Sequence, residues 1–124
     1  MPANRMNKVS CSNYQCEIEI VLEIIGGKWK ALILWNLGQQ DVIRYNEFLT
    51  IMPNISQKML TQQLRYLETH LLVNRKVYHQ VPPMVEYSLT PLGKELLPIL
   101  TSIDIWGKKF VTHFPEYTNK NLDD

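Results

Sequence analysis

Four regularly spaced leucines, here called the leucine ladder, and the two short apolar stretches that follow them constrain the fold of this chain more than any other feature. Four leucines recur at spacings of four, three and four residues: Leu60, Leu64, Leu67 and Leu71. These spacings place the four side chains on one face of an α-helix, and Ser56 is a residue type that caps a helix N-terminus. Val73–Tyr78 and Val85–Leu89 have the composition of strands and are joined by a loop with two prolines. The sequence therefore predicts a helix followed by a β-hairpin.

The opposite face of this predicted helix carries polar and basic side chains: Lys58, Thr61, Gln62, Arg65 and Thr69. From a helix in a major groove, glutamine reads adenine, arginine and lysine read guanine, and threonine contacts the thymine methyl group. A helix face that is merely solvated has the same composition. The hairpin favours DNA, because its first strand carries Arg75 and Lys76. A helix followed by a basic hairpin is typical of a winged helix-turn-helix.

The net charge of +1 over 124 residues, a length that suits one domain, is unevenly distributed. Between Lys28 and Gln80 there are seven basic and three acidic residues, a net charge of +4. The two flanks hold the other six basic and nine acidic residues, a net charge of −3. A basic centre with acidic flanks favours a nucleic-acid partner.

Before the ladder, apolar periodicity and glycine or proline breaks predict four elements: a helix over Glu17–Ile25, an almost entirely apolar helix over Lys28–Leu37, a strand at Val42–Arg44 and a helix over Tyr45–Ile51. We expect the apolar helix to be buried on most faces, to form the centre of the core and to end at Gly38. The segment Met52–Ile55 contains Pro53, which cannot continue a helix, and predicts the turn of the helix-turn-helix.

The last predicted helix, over Pro91–His113, carries a long apolar seam. The seam consists of residues at alternating spacings of four and three: Leu92, Leu96, Ile99, Ile103, Trp106 and Phe110. Pro98 removes one backbone hydrogen bond and predicts a kink. The seam is longer than a small domain needs, so we expect part of it to form a two-fold dimer interface with Ile18 and Leu22 of the first helix. Packing within one chain remains the alternative.

The sequence contains none of the patterns that indicate secretion, membrane insertion, metal binding or catalysis. There is no signal peptide and no apolar run long enough to cross a bilayer, so we expect a cytoplasmic protein without a membrane partner. Cys11 and Cys16 are too few for a disulfide framework and lack the second Cys/His pair of a zinc site. A Gly-x-Ser-x-Gly elbow and a glycine-rich phosphate loop are both missing. We therefore expect no enzyme activity, metal or cofactor.

Cys16 is the one candidate for thiol chemistry. It lies at the start of the first predicted helix, where the helix dipole favours a thiolate. Glu17 and Glu19 oppose that effect by like-charge repulsion. An ordinary free cysteine remains the alternative.

Several segments in this order resemble the HxlR-type bacterial transcriptional regulators, which are similar to the MarR group: Ile25–Lys30, Arg44–Phe48, Ile55–Glu68, Val81–Gly93 and Trp106-Gly107. The resemblance implies homodimers with one winged helix per subunit and a dimer built from the N- and C-terminal helices. It also implies that Ser56–Arg65 begins the recognition helix, that Arg75–Glu86 forms the wing, and that Lys28 and Lys30 lie near the DNA backbone. The DNA-binding residues predicted together are Lys28, Lys30, Arg44, Ser56, Gln57, Lys58, Thr61, Gln62, Arg65, Arg75 and Lys76.

Cys16 matches the position through which several HxlR-type regulators sense quinones, aldehydes, hypochlorite or diamide. Those proteins usually have proline directly after the cysteine, whereas this chain has Glu17, and Cys11 is an additional cysteine. The resemblance thus implies Cys16, with Cys11, as a redox-sensing candidate.

The predicted fold is mainly α with a small β-hairpin wing, an α+β winged helix-turn-helix over residues 16–113. A flexible arm is expected over residues 1–15 and a tail over residues 114–124. The predicted function is a homodimeric regulator that binds a double-stranded DNA operator and responds to oxidants or electrophiles through Cys16. A winged-helix module that binds protein, and a regulator that responds to an unidentified ligand, are the alternatives. A thiol redox enzyme is disfavoured, because no Cys-x-x-Cys motif is present.

Overall fold

Six helices, a three-stranded antiparallel sheet and a final 3₁₀ turn make up residues 16–117, the part of the chain that the computed structural model describes. In chain order they are α1 (Glu17–Ile25), α2 (Lys30–Gln40), β1 (Val42–Arg44), α3 (Tyr45–Ile51), α4 (Gln57–Thr69), β2 (Val73–Tyr78), β3 (Met84–Leu89), α5 (Pro91–Lys94), α6 (Leu97–His113) and the turn Pro115–Tyr117. The predicted winged helix-turn-helix is confirmed, with β1 as the third strand.

The helix predicted from the leucine ladder is α4, and this helix ends earlier than the leucine spacing predicts. Ser56 caps the helix as expected, since its hydroxyl accepts a hydrogen bond from the Met59 amide at 3.0 Å. The helix ends at Thr69, so the prediction that Leu71 shares the buried face is wrong. Leu71 has a φ of 64° and is 69% exposed, because the chain turns there into β2. Leu72 takes the buried position instead.

The core lies between α2, α4 and the inner face of the sheet. Eight large side chains are almost completely buried: Phe48, Ile33, Leu34, Leu37, Ile43, Leu60, Leu64 and Leu67. Burial of each such side chain contributes about 1.5–3 kcal/mol. Helix α2 supplies three of them, as predicted, but Leu32 on the same helix is exposed.

Helix α2 does not end at Gly38 as predicted, and continues to Gln40. Asp41, with a φ of 66°, ends it. Gly38 has a packing role instead, because a Cβ atom there would overlap the side chain of Leu97. The glycine therefore lets the start of α6 pack closely against α2.

The sheet has the strand order β1-β3-β2, and its two faces differ. Strand residues alternate between faces. The inner face carries buried side chains such as Tyr87. On the outer face, Glu86 of the central strand lies in register between Arg44 of β1 and Lys76 of β2. The Arg44 Nε atom is 3.9 Å from Oε2 of Glu86.

The C-terminal segment is broken into two helices, where a single kinked helix is predicted. Helix α5 ends at Lys94, and α6 begins at Leu97 with Pro98 in its first turn. Proline fits the first turn of a helix, because the amide hydrogen it lacks has no partner there. Leu100 is the buried residue of α6. Most of the seam is therefore exposed: Leu92, Ile99, Ile103 and Trp106 are exposed, and Leu96 and Phe110 are half-buried.

Some predictions concern residues that the structure does not describe. Cys11, the predicted arm over residues 1–15 and the tail from residue 118 onward lie outside the described residues. Phe114 and Tyr117, which do belong to the described part of the tail, contact the ring of Phe110. Among residues 16–117, no helix has the length and apolar character needed to cross a membrane, and no cluster of three or more His, Cys, Asp or Glu could hold a metal ion.

Candidate nucleic-acid interface

Three of the predicted DNA-binding residues share the exposed side of α4. Lys58, Gln62 and Arg65 are exposed, and they lie opposite the buried leucines of the same helix. We call these three residues the outer face. Within residues 16–117, none of the three side chains is held by a hydrogen bond or an ion pair, so all three are available to a partner.

The N-terminal turn of α4 is tied to α3 by Tyr45, whose role the sequence does not reveal. Its hydroxyl donates to the main-chain oxygen of Gln57 at 3.2 Å and lies 2.8 Å from Oγ1 of Thr61. Thr61 therefore lies on the flank of α4 that contacts α3, beside the outer face. The only sequence signal for Tyr45 is its place in the Arg44–Phe48 segment.

The two basic residues of β2 lie on opposite faces of the wing. Lys76 lies on the outer face of the sheet, with Nζ 4.8 Å from the ring centre of Tyr78. Arg75 lies in register with Tyr87 on the inner face and hydrogen-bonds to its hydroxyl. Burial raises the pKa of Tyr87, while the hydrogen bond and charge of Arg75 lower it. Arg75 is itself exposed, but its guanidinium is engaged with Tyr87, so Lys76 is the more available cation of the wing.

Lys28 and Lys30, which are predicted together near DNA, have different surroundings. Lys28 is exposed, and its Nζ lies 4.8 Å from the ring centre of Trp29. The Lys30 ammonium donates to the main-chain oxygen of Glu23 at 3.0 Å and lies 3.9 Å from the ring centre of Tyr66. Burial lowers the pKa of Lys30, and the charge of Glu23 opposes that effect. A phosphate contact by Lys30 would compete with these partners, whereas Lys28 is free to make one.

Cys16 is an exposed free cysteine at the N-cap of α1. Its main-chain oxygen accepts a hydrogen bond from the Glu19 amide at 3.1 Å, which begins the helix. Ile18 and Leu22 on the same helix are both exposed. The cysteine therefore lies next to the part of the predicted dimer interface that α1 supplies.

A helix-turn-helix followed by a hairpin, with a polar and basic face on its second helix, defines a winged helix-turn-helix protein. The chain belongs to the HxlR-like helix-turn-helix family, whose model matches residues 24–114. Members of this family are transcriptional regulators and not enzymes.

Individual relatives support the assignment of the chain to this family. The HTH-type transcriptional regulator YybR of Bacillus subtilis is 50% identical over 109 residues, which cover 86% of this chain and 85% of YybR. The redox regulator HypR in its reduced form is 45% identical with a TM-score of 0.76, over 82% of this chain and 100% of HypR. The reduced transcriptional regulator YodB of B. subtilis is 31% identical with a TM-score of 0.68, over 78% of this chain and 95% of YodB.

The pairing of Arg75 with Tyr87 can be tested by titration. We expect Arg75→Ala to raise the pKa of Tyr87 further, because the substitution removes the hydrogen bond and the positive charge that lower it. The measurement is an ultraviolet titration of the tyrosines, with the Tyr87 signal obtained by subtracting the matching Tyr87→Phe variant. Lys76→Ala is the control and should leave this pKa unchanged, since Lys76 lies on the other face of the strand. An equal effect of both substitutions would contradict the pairing.

Proposed function

We propose that this HxlR-type regulator binds a specific DNA operator as a homodimer, with α4 of each subunit in a major groove. The observation that carries the proposal is the outer face of α4. Its lysine, glutamine and arginine are side chains that read base edges, and all three are exposed and available within the described residues. A solvated helix face would have the same composition. Here, however, the face accompanies a wing that carries basic residues, and the chain belongs to a family of transcriptional regulators.

Contacts with the DNA backbone are expected from cations beside α4. Lys28 precedes α2, and Lys76 and Arg44 lie on the outer face of the sheet. Glu86 between the two sheet cations moderates their charge, so we expect Arg44 to contribute less than Lys76. Such contacts supply affinity that does not depend on sequence and weakens with salt.

The exposed apolar surface of α1 and α6 supports the homodimer. The seam borders a depression of about 280 Å³ with mainly apolar walls, which α1, α5 and α6 form together. Ile18 and Leu22 of α1 are exposed, as is Ile99 of α6, which lines this depression. Exposed apolar side chains next to an apolar depression favour an interaction site, and a second copy of the chain offers the same surface for a two-fold contact.

Specific and nonspecific DNA contacts can be separated by four substitutions. We expect Gln62→Ala or Arg65→Ala to cost about 1–3 kcal/mol on the best duplex and little on scrambled DNA. Lys28→Ala or Lys76→Ala should weaken binding to both DNAs and reduce the slope of log affinity against log salt by about one. The best duplex is obtained by selection from a random pool, and we expect a near-palindrome with half-sites ~34–36 Å, or a multiple of that, apart.

The control for this titration is Lys108→Ala, because Lys108 lies on α6 and pairs with Asp104 at 2.9 Å. It should bind both duplexes as the wild type does. Four variants with titration curves identical to those of the control would remove the support for α4 as the recognition helix. Failure to select any duplex would remove the proposed function itself.

The dimer can be tested with two isoleucines of α6 that have the same exposure. Ile103 lies in the seam and Ile105 lies on the other side of the helix, and each is 51% exposed. We expect Ile103→Glu to give monomers, because a charge buried between two apolar surfaces is costly. Ile105→Glu should remain dimeric. Sedimentation or light scattering at micromolar concentration makes the measurement, and a monomeric wild type would overturn the dimer.

A redox response through Cys16 is the second candidate function. The thiol is exposed at the start of α1, and the redox regulator HypR in its oxidised form is 49% identical over the 76% of this chain that its structure covers. Diamide would accept two electrons and two protons as two thiols join in a disulfide. The second thiol would come from Cys11 or from Cys16 of another subunit.

The redox candidate predicts that diamide weakens operator binding by the wild type but not by Cys16→Ser. Cys11→Ser identifies the second thiol: it keeps the response if two Cys16 residues join, and loses it if Cys11 is required. Affinity is measured before and after treatment, and a reductant should restore it. Equal affinity of the wild type with and without diamide would exclude the response and leave an unidentified ligand as the alternative.

A further inference from the structure

The C-terminal end of α1 contacts α4 through the main-chain oxygen of Glu23. The last four carbonyl groups of a helix have no amide partner within that helix, and Glu23 lies in the last turn of α1. Its main-chain oxygen accepts a hydrogen bond from Lys30 Nζ at 3.0 Å and one from the Tyr66 hydroxyl at 3.4 Å. The donors come from α2 and α4, so three helices meet at this oxygen.

The two donors also contact each other. The Lys30 ammonium lies 3.9 Å from the centre of the Tyr66 ring, a cation–π distance. A positive charge at this point also complements the negative end of the α1 dipole. We call Lys30, Tyr66 and the Glu23 oxygen the joint.

At the C-terminal end of α4, the Tyr66 ring packs against His70, the C-cap residue that follows the helix. The two rings stack with centres 4.0 Å apart, and Nδ1 of His70 lies 2.8 Å from the main-chain oxygen of Tyr66. Because a carbonyl oxygen only accepts, Nδ1 is the nitrogen that donates. The stacking and this hydrogen bond hold the Tyr66 ring in one orientation relative to α4, so its hydroxyl ties the Glu23 oxygen to a fixed point on that helix.

The joint connects the helix proposed for dimerisation with the helix proposed for base reading. Tyr66 follows Gln62 of the outer face by one helical turn, and Glu23 follows the exposed Leu22 directly. In a two-fold dimer, the angle between α1 and α4 within each subunit determines the distance between the two recognition helices. That distance determines which separation of half-sites fits the protein.

We infer that Lys30 and Tyr66 are positioning residues, which hold α4 at a fixed angle to α1 through the Glu23 oxygen and so set the preferred half-site spacing. The inference rests on the proposed function. It assigns Lys30 a role within the protein in place of a contact with phosphate. Lys30 should have the larger effect of the two, since its hydrogen bond to the oxygen is the shorter one.

Three substitutions separate the parts of the joint. Tyr66→Phe removes the hydroxyl and keeps the ring, Lys30→Met removes the charge, and Lys30→Arg keeps a cation that can donate. The matched control is Tyr45→Phe, which removes another tyrosine hydroxyl bound to α4. That hydroxyl comes from α3, inside the helix-turn-helix, and therefore does not link α4 to the dimer helix.

The first measurement needs no DNA. Spin labels are attached at Gln62→Cys in a Cys11→Ser, Cys16→Ser background, and pulsed electron paramagnetic resonance gives the distance between the two recognition helices of a dimer. We expect a narrow distribution for this reference and for Tyr45→Phe. Lys30→Met and Tyr66→Phe should shift or broaden it, and Lys30→Arg should restore it.

The second measurement uses the selected duplex and versions with one base pair added or removed between the half-sites. The reference protein, which here retains Gln62, should lose about tenfold in affinity when the spacing changes. Lys30→Met and Tyr66→Phe should reduce this discrimination to roughly threefold or less. Tyr45→Phe and Lys30→Arg should keep it. A purely structural role of Lys30 and Tyr66 would lower affinity equally at every spacing.

The outcomes distinguish the joint from the proposed function. If the reference is a dimer that prefers one spacing, and Lys30→Met and Tyr66→Phe keep both its distance distribution and its preference, the positioning role is overturned and DNA binding stands. If the reference shows no distance between subunits or selects no duplex, the proposed function is overturned. The positioning role of the joint, which rests on that function, is then overturned as well.

Discussion

Burial of three leucines on one side of α4 is the interaction on which the rest of this structure depends. Leu60, Leu64 and Leu67 are at most 1% exposed, and they fix the rotation of the helix about its axis. Turning α4 by one residue would expose leucines, each at a cost of about 1.5–3 kcal/mol, and would move Arg65 toward the core. The exposed outer face is therefore a consequence of core packing.

Different elements of the same chain contact the two flanks of α4. Thr61 and Tyr66 are five residues apart, so they lie on different sides of the leucine face. Tyr45 of α3 contacts the first flank, and Lys30 with the end of α1 contacts the second. This arrangement explains why Lys30 is engaged with the protein while Lys28, two residues earlier, is exposed.

The sequence predicts those parts of the fold that depend on local patterns. Helices α1 and α3 and strand β2 have the predicted bounds, because apolar periodicity and nearby glycine or proline residues determine them. The same reasoning is wrong at Leu71, where a spacing continues beyond the end of its helix. It is wrong again at Gly38, where the helix continues and the glycine packs against Leu97, a residue far along the chain.

The candidate DNA-binding residues also divide into those whose surroundings the sequence predicts and those whose partners it does not. Exposure of Lys58, Gln62 and Arg65 follows from helical geometry alone, and the structure agrees with it. The partners of Lys30 and Arg75 follow from how α1 meets α4 and from strand register, neither of which the spacing of residues contains. A basic side chain counted as available from sequence can therefore be occupied in the fold.

The proposed separation of dimer pairing and base reading onto different helices has a consequence for how proteins of this family diverge. Bacillus subtilis alone encodes several relatives of this chain, among them YybR, YdeP and YkvN. Paralogues in one cell must avoid mixed pairs and must also recognise different genes. With pairing proposed for α1 and α6 and base reading proposed for α4, the two traits lie on separate helices. After gene duplication, substitutions on the outer face can alter which bases are read without changing the pairing surface, while changes at the joint alter the half-site spacing.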